Sequence, residues 1–177
     1  MGTEKESHVN SFGNSTNEEQ YTIRRCKIED LEGVIEVNEK ELPEDYPYFF
    51  YKSILDNYPE SFLVAINNVG KIIGYVMWRV EKIPSINSLR LINKGHLVSI
   101  AVSNEYRRRS IASNLLKRSM PEIKRQKIIE YVLEVRISNY GALDLYKSLG
   151  YKIESLKKKY YRDGENAYYM VKKPQIN

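Results

Sequence analysis

The spacing of apolar residues changes period along the chain, and each change marks an element. From Met1 to about Gln20 the chain is rich in Ser, Asn and Glu and nearly free of large apolar side chains. Such a stretch buries too little surface to offset its ordering entropy, so residues 1–20 are expected to be a disordered tail. Tyr21-Thr22-Ile23-Arg24-Arg25-Cys26 alternates as a strand. Asp30 then caps a predicted helix whose inner face is Leu31, Val34, Ile35 and Leu42, and Pro43 stops it. The aromatic segment Glu44 to Tyr58 counts as a second helix. A hairpin follows, Ser61 to Asn67 and Lys71 to Val80 about a turn at Asn68-Val69-Gly70. Pro84 to Asn93 reads as a polar loop, and His96 to Val102 as an apolar strand. Ser110 opens an amphipathic helix carrying Ile111, Ala112, Leu115 and Leu116, which Pro121 should end or kink. Ile128 to Val135 is a buried-type strand. Ser138 or Asn139 caps a last helix that stops at Gly150, and two strands then flank the turn Arg162-Asp163-Gly164-Glu165. The order β-α-α-β-β-β-α-β-α-β-β predicts one mixed α/β domain over 21–173, with 174–177 as a short C-terminal tail.

Composition narrows the chemistry. The single cysteine, Cys26, excludes an internal disulfide framework and a thiolate metal cluster. With only two histidines, His8 and His96, no zinc or iron site is expected. No apolar run approaches the ~20 residues of a membrane span, and the N-terminal residues lack the apolar core of a secretory signal, so a cytoplasmic protein is expected. The net charge of +5 admits an acidic ligand, nucleic acid or a ribosomal surface, but the lysines are dispersed over strands and helix faces like a solvated surface.

The strongest chemical signal is Glu105-Tyr106-Arg107-Arg108-Arg109-Ser110-Ile111-Ala112, set between the strand ending at Val102 and the helix starting near Ser110. A strand feeding a tight basic loop and then a helix start makes a phosphate cradle, because free N–H groups and the positive end of the helix dipole converge there. Arg107-Arg108-Arg109-Ser110-Ile111-Ala112 resembles the pyrophosphate loop of the GCN5-related N-acetyltransferases (GNAT), Arg/Gln-x-x-Gly-x-Gly/Ala, with Ser110 replacing a glycine. Serine is acceptable there if φ is negative, where its hydroxyl can cap the helix or bond a phosphate oxygen. A second run, Asn139-Tyr140-Gly141-Ala142-Leu143-Asp144-Leu145-Tyr146 followed by Gly150-Tyr151, resembles the family's Asn-x-x-Ala-x-x-Leu-Tyr…Gly-Phe segment. Taken alone, Ala142, Leu145, Tyr146 and Leu149 are also a plain helical core stripe, and Asn139 a plain cap.

The resemblance implies the GNAT fold, a mixed, mostly antiparallel sheet flanked by helices, with acetyl-coenzyme A as co-substrate and no metal. It places Ile100, Ala101, Val102, Arg107, Arg108, Arg109, Ser110, Ile111, Ala112, Ser113, Asn139 and Tyr146 on the coenzyme. It also makes Tyr146 the acid that protonates the leaving thiolate. A thiol of pKa ~8.5 leaves more easily when a phenol of pKa ~10 hydrogen-bonds it.

Four further runs narrow the branch. Leu42-Pro43-Glu44-Asp45-Tyr46, Lys94 to Val102, Leu133-Glu134-Val135-Arg136-Ile137-Ser138-Asn139, and Lys159-Tyr160-Tyr161 with Ala167-Tyr168 resemble segments of protein N-terminal acetyltransferases, archaeal RimI-like enzymes and the catalytic subunit of eukaryotic NatA. That likeness implies an acceptor slot lined by Leu42, Glu44, Tyr46, His96, Tyr160 and Tyr161, with Glu44 assisting catalysis and His96 and Glu134 relaying the amine proton. One of Tyr160 and Tyr161 is expected to pack inward, since neighbours on a strand point oppositely. A protein α-amine of pKa ~8 is held neutral at pH 7 for only ~1.4 kcal/mol, against ~4.6 for a lysine at ~10.4. A histidine base suits the smaller task. The expected activity is acetyl transfer by direct attack to the first residue of proteins, Ser or Ala and also Met. Protein N-termini are the implied partners, with nascent chains at the ribosome as one setting, and neither membrane nor nucleic acid is expected. A lysine or small-amine acetyltransferase on the same fold stays open, as does a catalytically impaired binding module.

Overall fold

Seven strands form one sheet in the order β1-β2-β3-β4-β5-β7-β6. The computed structural model describes residues 21–85 and 90–174. The tail over 1–20, the centre of the loop between Pro84 and Asn93, and the last three residues lie outside the described residues. The strands are β1 (Thr22–Arg25), β2 (Leu63–Ile66), β3 (Ile72–Pro84), β4 (Leu91–Val102), β5 (Ile128–Arg136), β6 (Lys152–Lys157) and β7 (Ala167–Lys172). The helices are α1 (Leu31–Glu41), α2 (Tyr48–Asn57), α3 (Ile111–Lys124) and α4 (Tyr140–Ser148). This is the expected element order.

Alternation along the strands divides the apolar side chains between two cores. Leu31, Val34, Val37, Tyr51 and Ile54 of α1 and α2 pack on Val64, Tyr75 and Met77 on one face. On the other, Leu115, Leu116, Met120 and Ile123 of α3 and Leu143 and Tyr146 of α4 pack on Trp78, Leu133 and Val135. Cys26 sits in the first core, where burial pushes its thiol up to about 12.

Several local expectations shift. Asp30 does not cap α1 with its side chain; its carboxylate accepts from the Lys27 N–H at 2.7 Å and from Arg24, closing the 3-10 turn before the helix. Ile35 and Leu42 are only partly buried, and Val37 and Asn38 complete the inner face instead. Strands β3 and β4 run further into the expected loop, pairing as far as Pro84 and Leu91. Pro121 does not end α3, which runs on through it to Lys124. The turn around it is tied down, since Trp78 Nε1 donates to Ser119 Oγ at 2.9 Å and the Tyr131 hydroxyl to the Met120 carbonyl at 3.2 Å.

Every neighbouring pair is antiparallel except β4 and β5, which run parallel only from Asn93↔Ile128 to His96↔Val132. Beyond that point β4 stays with β3, and β5 stays with β7. A register shift at Met77/Trp78 leaves Val98 as an extra residue on β4, and such a bulge bends the strand. The sheet therefore splits just past His96, leaving the facing edges of β4 and β5 unpaired around a cleft.

Candidate active site

The cleft is a cavity of about 1190 Å³. Of the residues expected to form a site, it gathers all but one: Arg109 does not line it and folds back over the Tyr106 ring at 5.3 Å. Ile111 borders it, but its side chain belongs to the core, at 2% exposure. Asn139 caps α4, its Oδ1 accepting from the Ala142 N–H at 3.1 Å.

One half of the cleft is main chain. After β4, a 3-10 turn at Asn104–Tyr106 leads into Arg107 and the start of α3, whose first N–H groups (Ile111, Ala112, Ser113) the helix itself leaves unpaired. Two residues of this loop are left-handed, Arg108 at φ 66° and Ser110 at φ 60°. Ser110 therefore occupies a conformation suited to glycine, contrary to the negative φ at which serine is at ease, and its hydroxyl makes no capping bond. Arg107 leans away from the loop: Nη2 pairs with Glu41 Oε2 at 2.5 Å and Nε donates to the Val102 carbonyl at 3.1 Å. Glu41 also accepts the Asn104 N–H at 2.9 Å, so the end of α1 is fastened to the loop.

The other half is built from side chains. Buried Asn38 on α1 donates from Nδ2 to the Glu44 carbonyl at 2.6 Å and accepts the Tyr75 hydroxyl at 2.5 Å; Tyr75 in turn lies 2.7 Å from Ser99 Oγ. This chain of bonds pins the loop between α1 and α2. The Glu44 carboxylate is held by Arg136 Nη2 at 2.5 Å and Nε at 3.2 Å. Arg136 Nη1 also bonds Asp163 at 2.7 Å and Glu165 at 2.6 Å, and its guanidinium lies 4.0 Å from the Tyr161 ring centroid. Burial works against this cation, but its three carboxylate bonds outweigh that and raise its pKa. Tyr160 and Tyr161 lie in the connection between β6 and β7 rather than on a strand, so the opposite-pointing rule does not apply. Both line the cavity, with rings edge-on at 5.0 Å. Tyr46 stacks on Phe50 at 4.7 Å.

His96 sits where the strands part. Its Nε2 is 2.7 Å from Glu134 Oε2, and its Nδ1 is 2.6 Å from Glu81 Oε1. Glu134 also binds Lys157, and Glu81 binds Arg79 at 2.6 Å. Burial opposes charge on the imidazole, but hydrogen bonds to Glu134 and Glu81 prevail and raise its pKa above the ordinary 6.5. The bond to His96 draws the Glu81 carboxyl down to about 2. Burial would raise Glu134, yet His96 and Lys157 hold it below its usual range. Tyr146 is 6% exposed, and burial raises its phenol, keeping the hydroxyl protonated. That hydroxyl has no hydrogen-bond partner among the described residues.

The family model described as acetyltransferase (GNAT) matches residues 25–151. The chain belongs to that family. It is 43% identical over 155 residues to an N-alpha-acetyltransferase of Saccharolobus solfataricus, covering 86% of this chain and 92% of the relative. Ard1 from Thermoplasma volcanium aligns in structure with a TM-score of 0.76 at 26% identity, over 88% of this chain and 99% of that one. Naa20 of Chaetomium thermophilum, solved with a bisubstrate analogue, gives 0.74 at 30% identity over 86% of each chain.

As a GNAT acetyltransferase, the chain takes acetyl-coenzyme A as its donor, and the main-chain half of the cleft suits a pyrophosphate. Among the described residues no helix is long and apolar enough to cross a membrane, and no cluster of metal-ligating side chains occurs. Sequence reasoning missed Glu81, Arg79, Lys157 and the Asn38–Tyr75–Ser99 chain. It quoted Arg136 within a run without giving it a role. The signal for Arg79 and Glu81 was available as polar residues two apart on a strand whose partner carries His96. The register sets Arg79 directly opposite His96 and Glu81 on the diagonal, the two close cross-strand relations.

Proposed function

We propose that this acetyltransferase moves the acetyl group of acetyl-coenzyme A to the α-amine of a protein's first residue. The observation that carries this reading is the single cavity in which the His96–Glu134 pair lies between the pyrophosphate loop and the slot walled by Glu44, Tyr46, Tyr160 and Tyr161. The curated relative is named for α-amine acetylation over nearly the same length, and the slot tyrosines suit a peptide backbone.

The chemistry needs no acyl-enzyme, and Cys26 is buried in the core away from the cleft. The α-ammonium gives its proton to the Glu134–His96 pair, and the freed nitrogen lone pair attacks the thioester carbonyl. The unpaired edge of β4 beyond His96 offers main-chain N–H groups to the oxyanion. As the C–N bond is completed the C–S bond breaks, the nitrogen sheds its second proton to solvent, and the Tyr146 hydroxyl protonates the departing thiolate and regains a proton from solvent. Glu44 faces the first residue beside the stacked Tyr46 and Phe50, and the preferred first residues are Ser and Ala, with Met also accepted.

The test is a set of peptides that vary the first residue, each with its α-amine free or blocked, incubated with acetyl-coenzyme A and mapped by mass. Acetyl on free α-amines alone supports the reading; undiminished acetylation of the blocked series would assign lysine as acceptor instead. Within the same assay, His96→Ala should lower kcat roughly a hundredfold at neutral pH and recover in alkali, where the amine loses its own proton. An unchanged pH profile removes His96 as base.

A further inference from the structure

We propose that Glu81 is a positioning residue for proton transfer: it accepts the Nδ1–H of His96 and leaves Nε2 as the nitrogen that exchanges a proton with Glu134. The inference rests on the reading of His96 as proton carrier. Three adjacent strands place these groups in a row on one face, Glu81 on β3, His96 on β4 and Glu134 on β5. With carboxylate oxygens at 2.6 Å and 2.7 Å from its two ring nitrogens, the imidazole is gripped at both ends.

A neutral imidazole carries one N–H. If it were on Nε2, Nδ1 would turn a lone pair toward Glu81 Oε1 at 2.6 Å, which repels. The Nδ1–H tautomer satisfies Glu81 and turns the Nε2 lone pair to Glu134. A proton reaching Glu134 from the acceptor amine then passes to Nε2: the amine N–H bond breaks, an Nε2–H bond forms, and the amine keeps the electron pair. Arg79 Nη2 lies 3.1 Å from Nδ1 as well, but its shorter bond, 2.6 Å, is to the same Glu81 oxygen, so it holds the carboxylate in place. The logic is that of a buried carboxylate orienting a catalytic histidine.

The groups facing this row are few. Arg79 and Glu81 come from β3, Glu134 from β5 and Lys157 from β6, while Tyr46, Tyr160 and Tyr169 approach from the α1–α2 loop, the β6–β7 connection and β7. Removing the Glu81 charge should therefore lower the affinity of His96 for its proton, and removing the Arg79 charge should raise it.

Nitrogen-15 NMR of the full-length chain reads this directly, because His8 is the only other histidine. Glu81→Gln, whose amide oxygen still accepts, should move the His96 midpoint down by about one pH unit, and Glu81→Leu, which leaves the Nδ1–H no acceptor, should lose the Nδ1–H tautomer as well. The acid limb of kcat/KM should move down in step, with kcat lowered at the plateau. Arg79→Met should move the midpoint the other way, and Glu81→Asp should keep it raised. Glu81→Gln with an unchanged midpoint, or Glu81→Leu with the Nδ1–H tautomer kept, overturns the inference, and if those variants fail to fold, Arg79→Met without an upward shift does the same. A His96→Ala enzyme with an unaltered pH profile would instead remove the base reading, whatever the spectra of the Glu81 variants show.

Discussion

The two halves of the cleft are made of different materials. The side proposed for the coenzyme is main chain: the free edge of β4, a left-handed loop and the first turn of α3. The side proposed for the acceptor is side chain: Glu44 on Arg136, His96 between two carboxylates, and Asn38 tying a loop to the sheet. A phosphate bound by N–H groups depends on backbone shape, which many side chains leave intact. An acceptor slot held by paired charges depends on each member. Substitutions should therefore be tolerated on one side and punished on the other.

Arg136→Ala should break the acceptor side hardest. Its side chain is 15% exposed and serves three carboxylates, so its loss leaves Glu44, Asp163 and Glu165 facing one another without a counterion. Leaving partly buried charges unpaired is far more damaging than losing a surface pair. The KM for peptide should rise on the order of tenfold or more, while coenzyme A affinity, measured by calorimetry, stays within about twofold. Equal losses on both sides would show that the halves are not independent.

Asn38→Ala tests the same side through the main chain. It removes the donor that holds the Glu44 carbonyl and the acceptor of the Tyr75 hydroxyl, both in a buried setting. Stability should fall by about 1–3 kcal/mol, visible as a lower Tm, and the peptide KM should rise a few-fold with coenzyme A affinity held. An unchanged KM would mean that the Glu44–Arg136 pair alone sets the loop.

The fold was legible because its signals are local. Alternation and turn residues foretold the element order, though not every cap or strand end, and the run proposed as a phosphate loop stands out within eight positions. What escaped was cross-strand. Glu81 and Arg79 carried no role until the register with β4 set them around His96. Arg136 gains its role only because Glu44, 92 positions away, and the β6–β7 connection close on it. Asn38 drew no reading from the helix stripe, and its partners across the core explain its burial. Tyr160 and Tyr161 were misjudged because a strand was expected where the chain turns. Sequence spacing reports neighbours along one element, whereas these groups are neighbours across several.

Ser110→Gly probes the tolerant half and should have the smallest effect. Serine at φ 60° sits in a region that costs a residue with a Cβ roughly 1 kcal/mol relative to glycine. The observed loop already has that shape, so the cost falls on its stability rather than on the direction of its N–H groups. Glycine should raise coenzyme A affinity by no more than about fivefold and leave the peptide KM unchanged. Ser110→Val should weaken coenzyme A binding, because a β-branched residue at positive φ is strained further. A gain of several orders of magnitude with glycine would contradict the comparison, since it would mean that the serine disrupts the cradle itself and that this half, too, depends on its side chains.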